Sequence, residues 1–178
     1  MPDPSPVPTT DHVDFVVSQW RQHCPQHDVA AMQIVSRIFR YATLATRDAE
    51  QAFRAHGLQQ GEFDLLATLY RGGPPHTLSP QQLIDALLLS SGAMTNRLDR
   101  LETAGLVTRS PNPEDRRGVR VALTEQGLAR IQAAMGDYLP VLEQLISPLS
   151  DGDRQTLAAL LRQLLAAHDQ HSPGALRP

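Results

Sequence analysis

The chain has 178 residues, 41% of them hydrophobic, which is enough for one domain with a substantial core. Its single cysteine, Cys24, excludes an intramolecular disulfide and a cysteine-based zinc cluster. No apolar run long enough to span a bilayer and no charged-then-apolar leader is present, so we expect a cytoplasmic protein.

The net charge of −3 disfavours non-specific binding to nucleic acid, so the distribution of charge matters more than its sum. Residues 90–124 contain six arginines and four acidic residues, whereas the rest of the chain contains ten arginines and fifteen acidic residues. Positive charge is therefore concentrated in residues 90–124. All sixteen basic residues are arginine, which either favours bidentate contacts or reflects a GC-rich genome.

The N-terminal part of the sequence predicts a tail and two helices. Residues 1–10 are rich in proline, which is typical of a disordered or extended tail. Asp11 is a suitable cap for a short helix that ends before Pro25. A long helix is predicted from Asp28 to about His56, and its apolar stripe is broader than one neighbouring element requires.

A third helix is predicted over residues 62–70, and a fourth begins after Ser79, which supplies a hydroxyl cap ahead of Pro80. Gln82 occupies the capping-box position of the fourth helix. Its periodic apolar residues are expected to be buried; they are Leu83, Ile84, Leu87 and Leu88.

Ser90 then caps a fifth helix over residues 91–102, which predicts a helix-turn-helix. Met94, Leu98 and Leu101 recur at helical spacing and are expected to pack inward. Short polar side chains and arginines near a helix start can contact base edges and phosphates in the major groove. We therefore predict a recognition helix whose DNA-binding residues are Ser91, Thr95, Asn96, Arg97 and Arg100.

Two strands are predicted after this helix, over residues 106–109 and 119–123, with turn residues at 112–115. Arg116 and Arg117 lie at the tip of this ribbon, where there is no core to bury them. We interpret the ribbon as a wing whose two arginines contact phosphates or a narrow minor groove. The alternative is an ordinary solvated hairpin tip.

Two helices rich in leucine complete the chain. Thr124 caps a helix that continues towards Leu149, and Pro140 is a residue at which such a helix can bend. Ser150 opens the last helix, in which five leucines follow helical spacing: Leu157, Leu160, Leu161, Leu164 and Leu165. We expect these helices to be buried between two chains, and the alternative is packing within a single monomer.

Four segments of this sequence together resemble the MarR family of bacterial transcription regulators: residues 95–102 (TNRLDRLE), 105–107 (GLV), 115–118 (DRRG) and 123–127 (LTEQG). The resemblance implies a mainly α fold with a small β-wing, in which a winged helix-turn-helix is flanked by N- and C-terminal dimerisation helices. The expected regions are a tail at 1–10, N-terminal helices for ligand binding and dimerisation at 11–57, the DNA-binding region at 58–123, C-terminal dimerisation helices at 124–168, and a tail at 169–178.

Residues 17–21 (VSQWR) and 63–66 (FDLL), with Arg97 and Arg109, also resemble the urate-responsive branch of that family. The resemblance implies that Trp20 and Arg109 bind a ligand between the dimerisation and DNA-binding regions, and that Asp64 and Arg97 couple that ligand to DNA. An indole can cover the face of a flat purine anion while a guanidinium pairs with its oxygens. The alternatives are a packed tryptophan, a surface acid, a plain phosphate contact and a solvated strand arginine.

The sequence thus predicts a homodimeric repressor that binds a pseudo-palindromic duplex and is released by a small anion, such as urate, a related purine or a carboxylate. We expect no cofactor, no metal, no membrane partner and no enzymatic activity, because no nucleophile–base pair, phosphate loop or metal cluster is recognisable. Two alternatives remain: a redox-sensing regulator that uses Cys24, flanked by His23 and His27, and a winged-helix dimerisation module that binds no DNA.

Overall fold

The computed structural model describes residues 10–113 and 115–169, with the side chains of residues 115–117 and 168–169 left out. The described chain is mainly helical with one small sheet, which confirms the predicted fold class. The predicted tails at 1–10 and 169–178 lie almost entirely outside the described residues. The elements in chain order are α1 (His12–His23), α2 (Met32–Ala55), α3 (Gln60–Arg71), β1 (Thr77–Leu78), α4 (Pro80–Leu87), α5 (Ser91–Thr103), β2 (Val107–Asn112), β3 (Asp115–Leu123), α6 (Glu125–Ile146) and α7 (Asp151–Asp169).

The chain forms two compact units, one within residues 1–47 and the other within residues 48–178, so the boundary falls inside α2. The division into regions at 11–57, 58–123 and 124–168 stays a prediction. Among the described helices, none is both long and apolar enough to cross a membrane.

In the first unit, α1 begins with a reciprocal cap between Asp11 and Asp14. Arg37 of α2 joins both carboxylates, at 2.9 Å from Asp11 and 2.8 Å from Asp14. The pKa of Asp11 is lowered first by the Asp14 backbone N–H and then by Arg37, and the pKa of Asp14 is lowered first by its hydrogen bond with Arg37. Asp28 was predicted to start the long helix. It instead accepts from the Ala30 N–H in a turn, and α2 begins four residues later.

The first unit buries only a small core and leaves much of its apolar surface exposed. Val13, Val17 and Val29 are buried together. Along α2 several large apolar side chains are exposed in the single chain: Ile34, Val35, Ile38, Phe39, Tyr41 and Leu44. Val35, Ile38 and Phe39 belong to the broad stripe that the sequence indicated.

The second unit is built around α3, which packs against α4, α5, β3 and α6. Leu65, Leu66 and Leu69 of α3 are completely buried. Three rings form a cluster beside them: Phe53 stacks on Phe63 at 4.0 Å, and Tyr138 of α6 contacts both at 5.1 Å. Helix α3 therefore lies at the centre of this unit and packs against both helices of the helix-turn-helix.

The helix-turn-helix consists of α4 and α5. Ser79 and Gln82 form the predicted capping box of α4, and Ser90 caps α5 by accepting from the Ala93 N–H at 3.3 Å. The expectation that Leu88 is buried was wrong. Leu88 has a left-handed backbone with φ of 53° and is 69% exposed, because the chain turns there and the helical period that predicted its burial has ended.

The sheet has three antiparallel strands in the order β1-β3-β2, one more than the ribbon that the sequence predicted. The two-residue strand Thr77–Leu78 pairs with Ala122 and Val121, which closes the base of the wing against the start of α4. The two wing strands extend further towards the tip than predicted, so residue 112 pairs with residue 115. A strand of two residues has no periodicity from which to predict it.

The wing is fixed to α6 through a close backbone approach at Gly127. Thr124 donates to the carbonyl of Gly105 at 2.7 Å and accepts from the Gly127 N–H at 2.9 Å, so it caps α6 as predicted. A Cβ at Gly127 would overlap the carbonyl oxygen of Leu106. Only glycine therefore fits this position. Helix α6 continues through Pro140, and Leu157, Leu160, Leu164 and Leu165 of α7 are exposed in the single chain.

Candidate nucleic-acid interface

Helix α5 divides into a buried face and an exposed polar face. Met94, Leu98 and Leu101 are buried, as predicted. Ser91, Thr95 and Asn96 are exposed on the first turns of the helix, and the Thr95 hydroxyl donates to the Ser91 carbonyl at 3.0 Å. The Asn96 amide carries both donors and an acceptor, so it has the groups needed to bond an adenine edge.

Arg100 is held against the first turn of α3. Its Nη1 donates to the side-chain oxygen of Gln59 at 3.3 Å, and its Nε lies 3.4 Å from the carboxylate of Glu62. Glu62 is largely buried and also accepts from the Gln59 N–H at 2.9 Å. The Arg100 side chain remains 52% exposed, so it is anchored at one side and open to a phosphate at the other.

The side chain of Arg97, a residue of α5, packs against α3 and does not lie on the exposed face of α5. Its guanidinium covers Gly61, and Nη1 is 3.5 Å from the Gly61 carbonyl oxygen, at the limit of a hydrogen bond. Of the two roles predicted for Arg97, this position suits coupling to α3 better than contact with DNA.

Asp64 lies one turn after Gly61 on α3 and is half-buried. Burial raises the pKa of its carboxyl above the ordinary value, while the positive charges of Arg97 and then Arg71 act in the opposite direction. Burial, followed by the charge of Asp64, also raises the pKa of Tyr138. The structure thus brings the two predicted coupling residues, Asp64 and Arg97, into one electrostatic environment.

Arg109 of β2 is tied to the recognition helix. Its Nη2 donates to the carboxylate of Asp99, and its Nε lies 3.4 Å from the carboxylate of Glu102. The Nε is buried, and its geometry with Glu102 is that of an ion pair without a hydrogen bond. Arg109, predicted to bind a ligand anion, is therefore already held by two carboxylates of α5.

The other predicted site residues lie elsewhere or outside the described side chains. Trp20 is in the first unit and is 43% exposed, where it lines an open cleft of about 340 Å³. Cys24 is partly exposed in the same cleft, and sensing by its thiol stays a prediction. Arg116 and Arg117 belong to β3, but their side chains are outside the described part, so their contacts with DNA stay predictions as well.

Sequence reasoning missed the residues that hold these arginines: Gln59, Gly61, Glu62, Asp99 and Glu102. A sequence signal did exist for Asp99 and Glu102. They are three residues apart in α5, so their side chains lie on the same face of the helix, and both pair with Arg109 of β2. The contact between Arg97 and Gly61 joins residues 36 positions apart, and helical periodicity cannot predict such a contact.

Comparison with known proteins agrees with this geometry. Residues 56–118 match the MarR family model, and the chain is 38% identical over 149 residues to the HTH-type transcriptional regulator PecS of Dickeya dadantii, a match covering 84% of this chain and 90% of that protein. The chain belongs to the MarR family. MhqR of Bacillus subtilis, also an HTH-type transcriptional regulator, is 32% identical over 61% of this chain and 73% of its own length.

Solved structures place this MarR-family chain in the same fold. A mutant MarR from E. coli, complexed with operator DNA, superposes with a TM-score of 0.68 at 27% identity over 78% of this chain and 99% of that one. AbsC of Streptomyces coelicolor, a MarR family transcriptional regulator, gives 0.73 at 23% identity over 82% of this chain and 99% of that one. The protein is thus a winged-helix transcription regulator, as expected from its sequence.

Proposed function

We propose that this MarR-family regulator binds a pseudo-palindromic operator as a homodimer, represses transcription, and leaves the DNA when a small anion such as urate binds. The observation that carries the proposal is the division of α5. Its first turns expose Ser91, Thr95 and Asn96. The rest of the helix is supported on two sides: Arg97 and Arg100 contact the start of α3, and acidic residues of α5 hold Arg109 of β2. A rigidly supported helix with a polar free face is suited to the major groove.

Dimerisation is required because one short helix reads too few base pairs for a specific site. A two-fold partner places a second recognition helix about 34 to 36 Å away, one turn along the duplex. The exposed leucines of α7 and the exposed stripe of α2 offer apolar surface for that partner. Exposed apolar side chains at helical spacing, as on each of these two helices, indicate an interaction site.

The anion is proposed to act at Arg109. Any anion that pairs with this guanidinium competes with Asp99 and Glu102, which both belong to the recognition helix. Binding would therefore weaken the ion pairs that join the wing strand to α5. By contrast, the cleft of about 630 Å³ beside α6 is lined by Asp48 and Asp137, whose negative charges disfavour an anion.

Asp64 and Arg97 are proposed to couple anion binding to the contact between α3 and α5. An anion close to Asp64 would be repelled by the ionised carboxylate and would shift the balance of charge that holds Arg97. The role proposed for Trp20 is the one that the sequence resemblance implies, which is to cover the ring of the anion. The ligand can shift the equilibrium only by the difference between its affinities for the two states.

Urate titration into free and operator-bound protein, for wild type, Trp20→Phe and Asp64→Asn, tests this proposal. Linkage requires that the factor by which urate weakens DNA binding equals the factor by which DNA weakens urate binding. We expect Trp20→Phe to weaken urate binding and Asp64→Asn to reduce the coupling factor. Full coupling in Asp64→Asn, or unchanged affinity in Trp20→Phe for urate, related purines and carboxylates, would remove the ligand part of the proposal.

A further inference from the structure

Gly61 provides a seat on α3 into which the guanidinium of Arg97 fits. A Cβ built on Gly61 would lie 2.5 Å from Cζ, 2.8 Å from Nε and 2.9 Å from Nη1 of Arg97. Carbon atoms in ordinary contact are about 3.5 to 4.0 Å apart. The guanidinium therefore occupies the space that any other amino acid at position 61 would fill with its side chain.

A glycine at the second position of a helix does not by itself produce such a close approach. Gly61 is the second residue of α3, and Gly152 is the second residue of α7. A Cβ at Gly152 would meet only the Ser150 Oγ, at an ordinary 3.9 Å. The two glycines thus share a helix position and differ in what lies against them.

Gly61 and Asp64 are three residues apart on α3, so they lie on neighbouring turns of one helix face. An arginine seated on Gly61 is consequently held within electrostatic reach of Asp64. Arg100 is anchored beside it on Gln59 and Glu62, so α5 cannot carry Arg97 away from this face without breaking a second contact.

We propose that Gly61 is a positioning residue of the regulatory switch: its missing side chain lets Arg97 dock on α3 beside Asp64, and this docked arginine links α3 to the recognition helix. The inference rests on the proposed function for its regulatory meaning, but the docking itself does not. Gly61→Ala would displace only the flexible end of Arg97, so the fold is retained while the link between Asp64 and α5 is broken.

The docking is tested first in protein free of ligand and DNA, by following the carboxyl of Asp64 through a pH titration with carbon-13 NMR. Displacing a positive charge from the neighbourhood of a carboxylate raises its pKa. We expect Gly61→Ala and Arg97→Ala to raise the pKa of Asp64 by similar amounts. Gly152→Ala should leave it unchanged, and the double variant Gly61→Ala/Arg97→Ala should add nothing to Arg97→Ala. Arg71 and Tyr138, which also interact with Asp64, are unaltered in all four proteins.

A titration of Asp64 in Gly61→Ala identical to that of wild type would overturn the inference. Wild-type protein provides a second check that needs no variant, because the Gly61 Hα and Arg97 side-chain protons should show a nuclear Overhauser effect. Absence of that effect would also overturn the inference.

The regulatory role is tested by the ratio of operator dissociation constants with and without saturating urate. Gly61→Ala should bring this ratio close to 1, while Gly152→Ala keeps the wild-type ratio. A wild-type ratio in Gly61→Ala would overturn the positioning role. If wild type itself does not respond to urate, the proposed function has failed, and the Asp64 titration still decides whether Gly61 seats Arg97.

Discussion

Arg109 of β2 donates to the carboxylate of Asp99 of α5, so the base of the wing is joined to the recognition helix by an ion pair. The arginine side chain is 28% exposed and the aspartate 56% exposed. A pair this accessible contributes at most about 1 kcal/mol to stability. Its importance in our account is therefore as an exchangeable contact and not as a source of stability.

The first prediction concerns this exchange. In Asp99→Asn, one carboxylate that competes for the guanidinium of Arg109 loses its charge, so the protein should bind urate several-fold more tightly in the absence of DNA. Isothermal titration calorimetry measures the affinity. Asp85→Asn, which neutralises an exposed acid of α4, is the matched control and should leave the affinity unchanged. Equal or weaker binding in Asp99→Asn would show that the anion does not compete at Arg109.

The second prediction concerns the junction of wing and α6. Gly127→Ala forces a methyl group against the backbone carbonyl of Leu106, which cannot move without shifting β2. Overpacking of this kind typically costs 1–3 kcal/mol, and a backbone clash places this variant at about 3 kcal/mol or more. Urea denaturation measures the loss. Gly136→Ala in the same helix meets nothing within 4 Å and should be neutral or slightly stabilising.

Some of these features were predictable from sequence and others were not. Helix caps such as Ser79 and Thr124, and periodic apolar residues such as Met94 and Leu98, are local signals, so the helices and the helix-turn-helix were confirmed. Leu88 was placed wrongly because its apolar side chain continues the helical period past the point where the backbone turns.

The candidate site was predicted less completely than the fold. The polar face of α5 follows from helical periodicity alone. The seat of Arg97 on Gly61 and the anchoring of Arg100 by Glu62 depend on how α3 and α5 pack, which residue spacing does not encode. The resemblance to a urate-responsive branch indicated Asp64 and Arg97 as partners, and it contained no information about Gly61.

A third prediction concerns the dimer. Leu164 on α7 is 49% exposed in the single chain, and a charge buried at an interface without a partner is strongly unfavourable. Leu164→Glu should therefore shift the protein towards monomer and weaken operator binding at least tenfold. Sedimentation velocity and fluorescence anisotropy measure the two effects. Gln163→Glu introduces the same charge at the preceding residue and should remain dimeric. A Leu164→Glu variant that also remains dimeric would exclude Leu164 from the interface.

The fourth prediction concerns pH. Burial raises the pKa of Asp64 in the folded protein above its ordinary value of 3.8, so the folded state binds this proton more tightly than the unfolded chain does. Ionised Asp64 therefore reduces stability above its folded pKa and has no such effect below 3.8. Asp64→Asn should therefore raise the melting temperature at pH 7. That gain should shrink as pH falls through the folded pKa, and a gain independent of pH would contradict the buried-carboxylate explanation.

Sequence-specific reading of DNA by α5 is the central claim, and competition between two duplexes tests it most directly. Labelled DNA from upstream of the protein's own gene is bound by wild type and by Asn96→Ala, then challenged with unlabelled upstream DNA or a scrambled duplex of equal composition. We predict that wild type prefers the upstream duplex by at least about 10³-fold and that Asn96→Ala loses about 1–3 kcal/mol of this preference. If the scrambled duplex competes with wild type as well as the upstream duplex does, α5 does not read sequence and the account is contradicted.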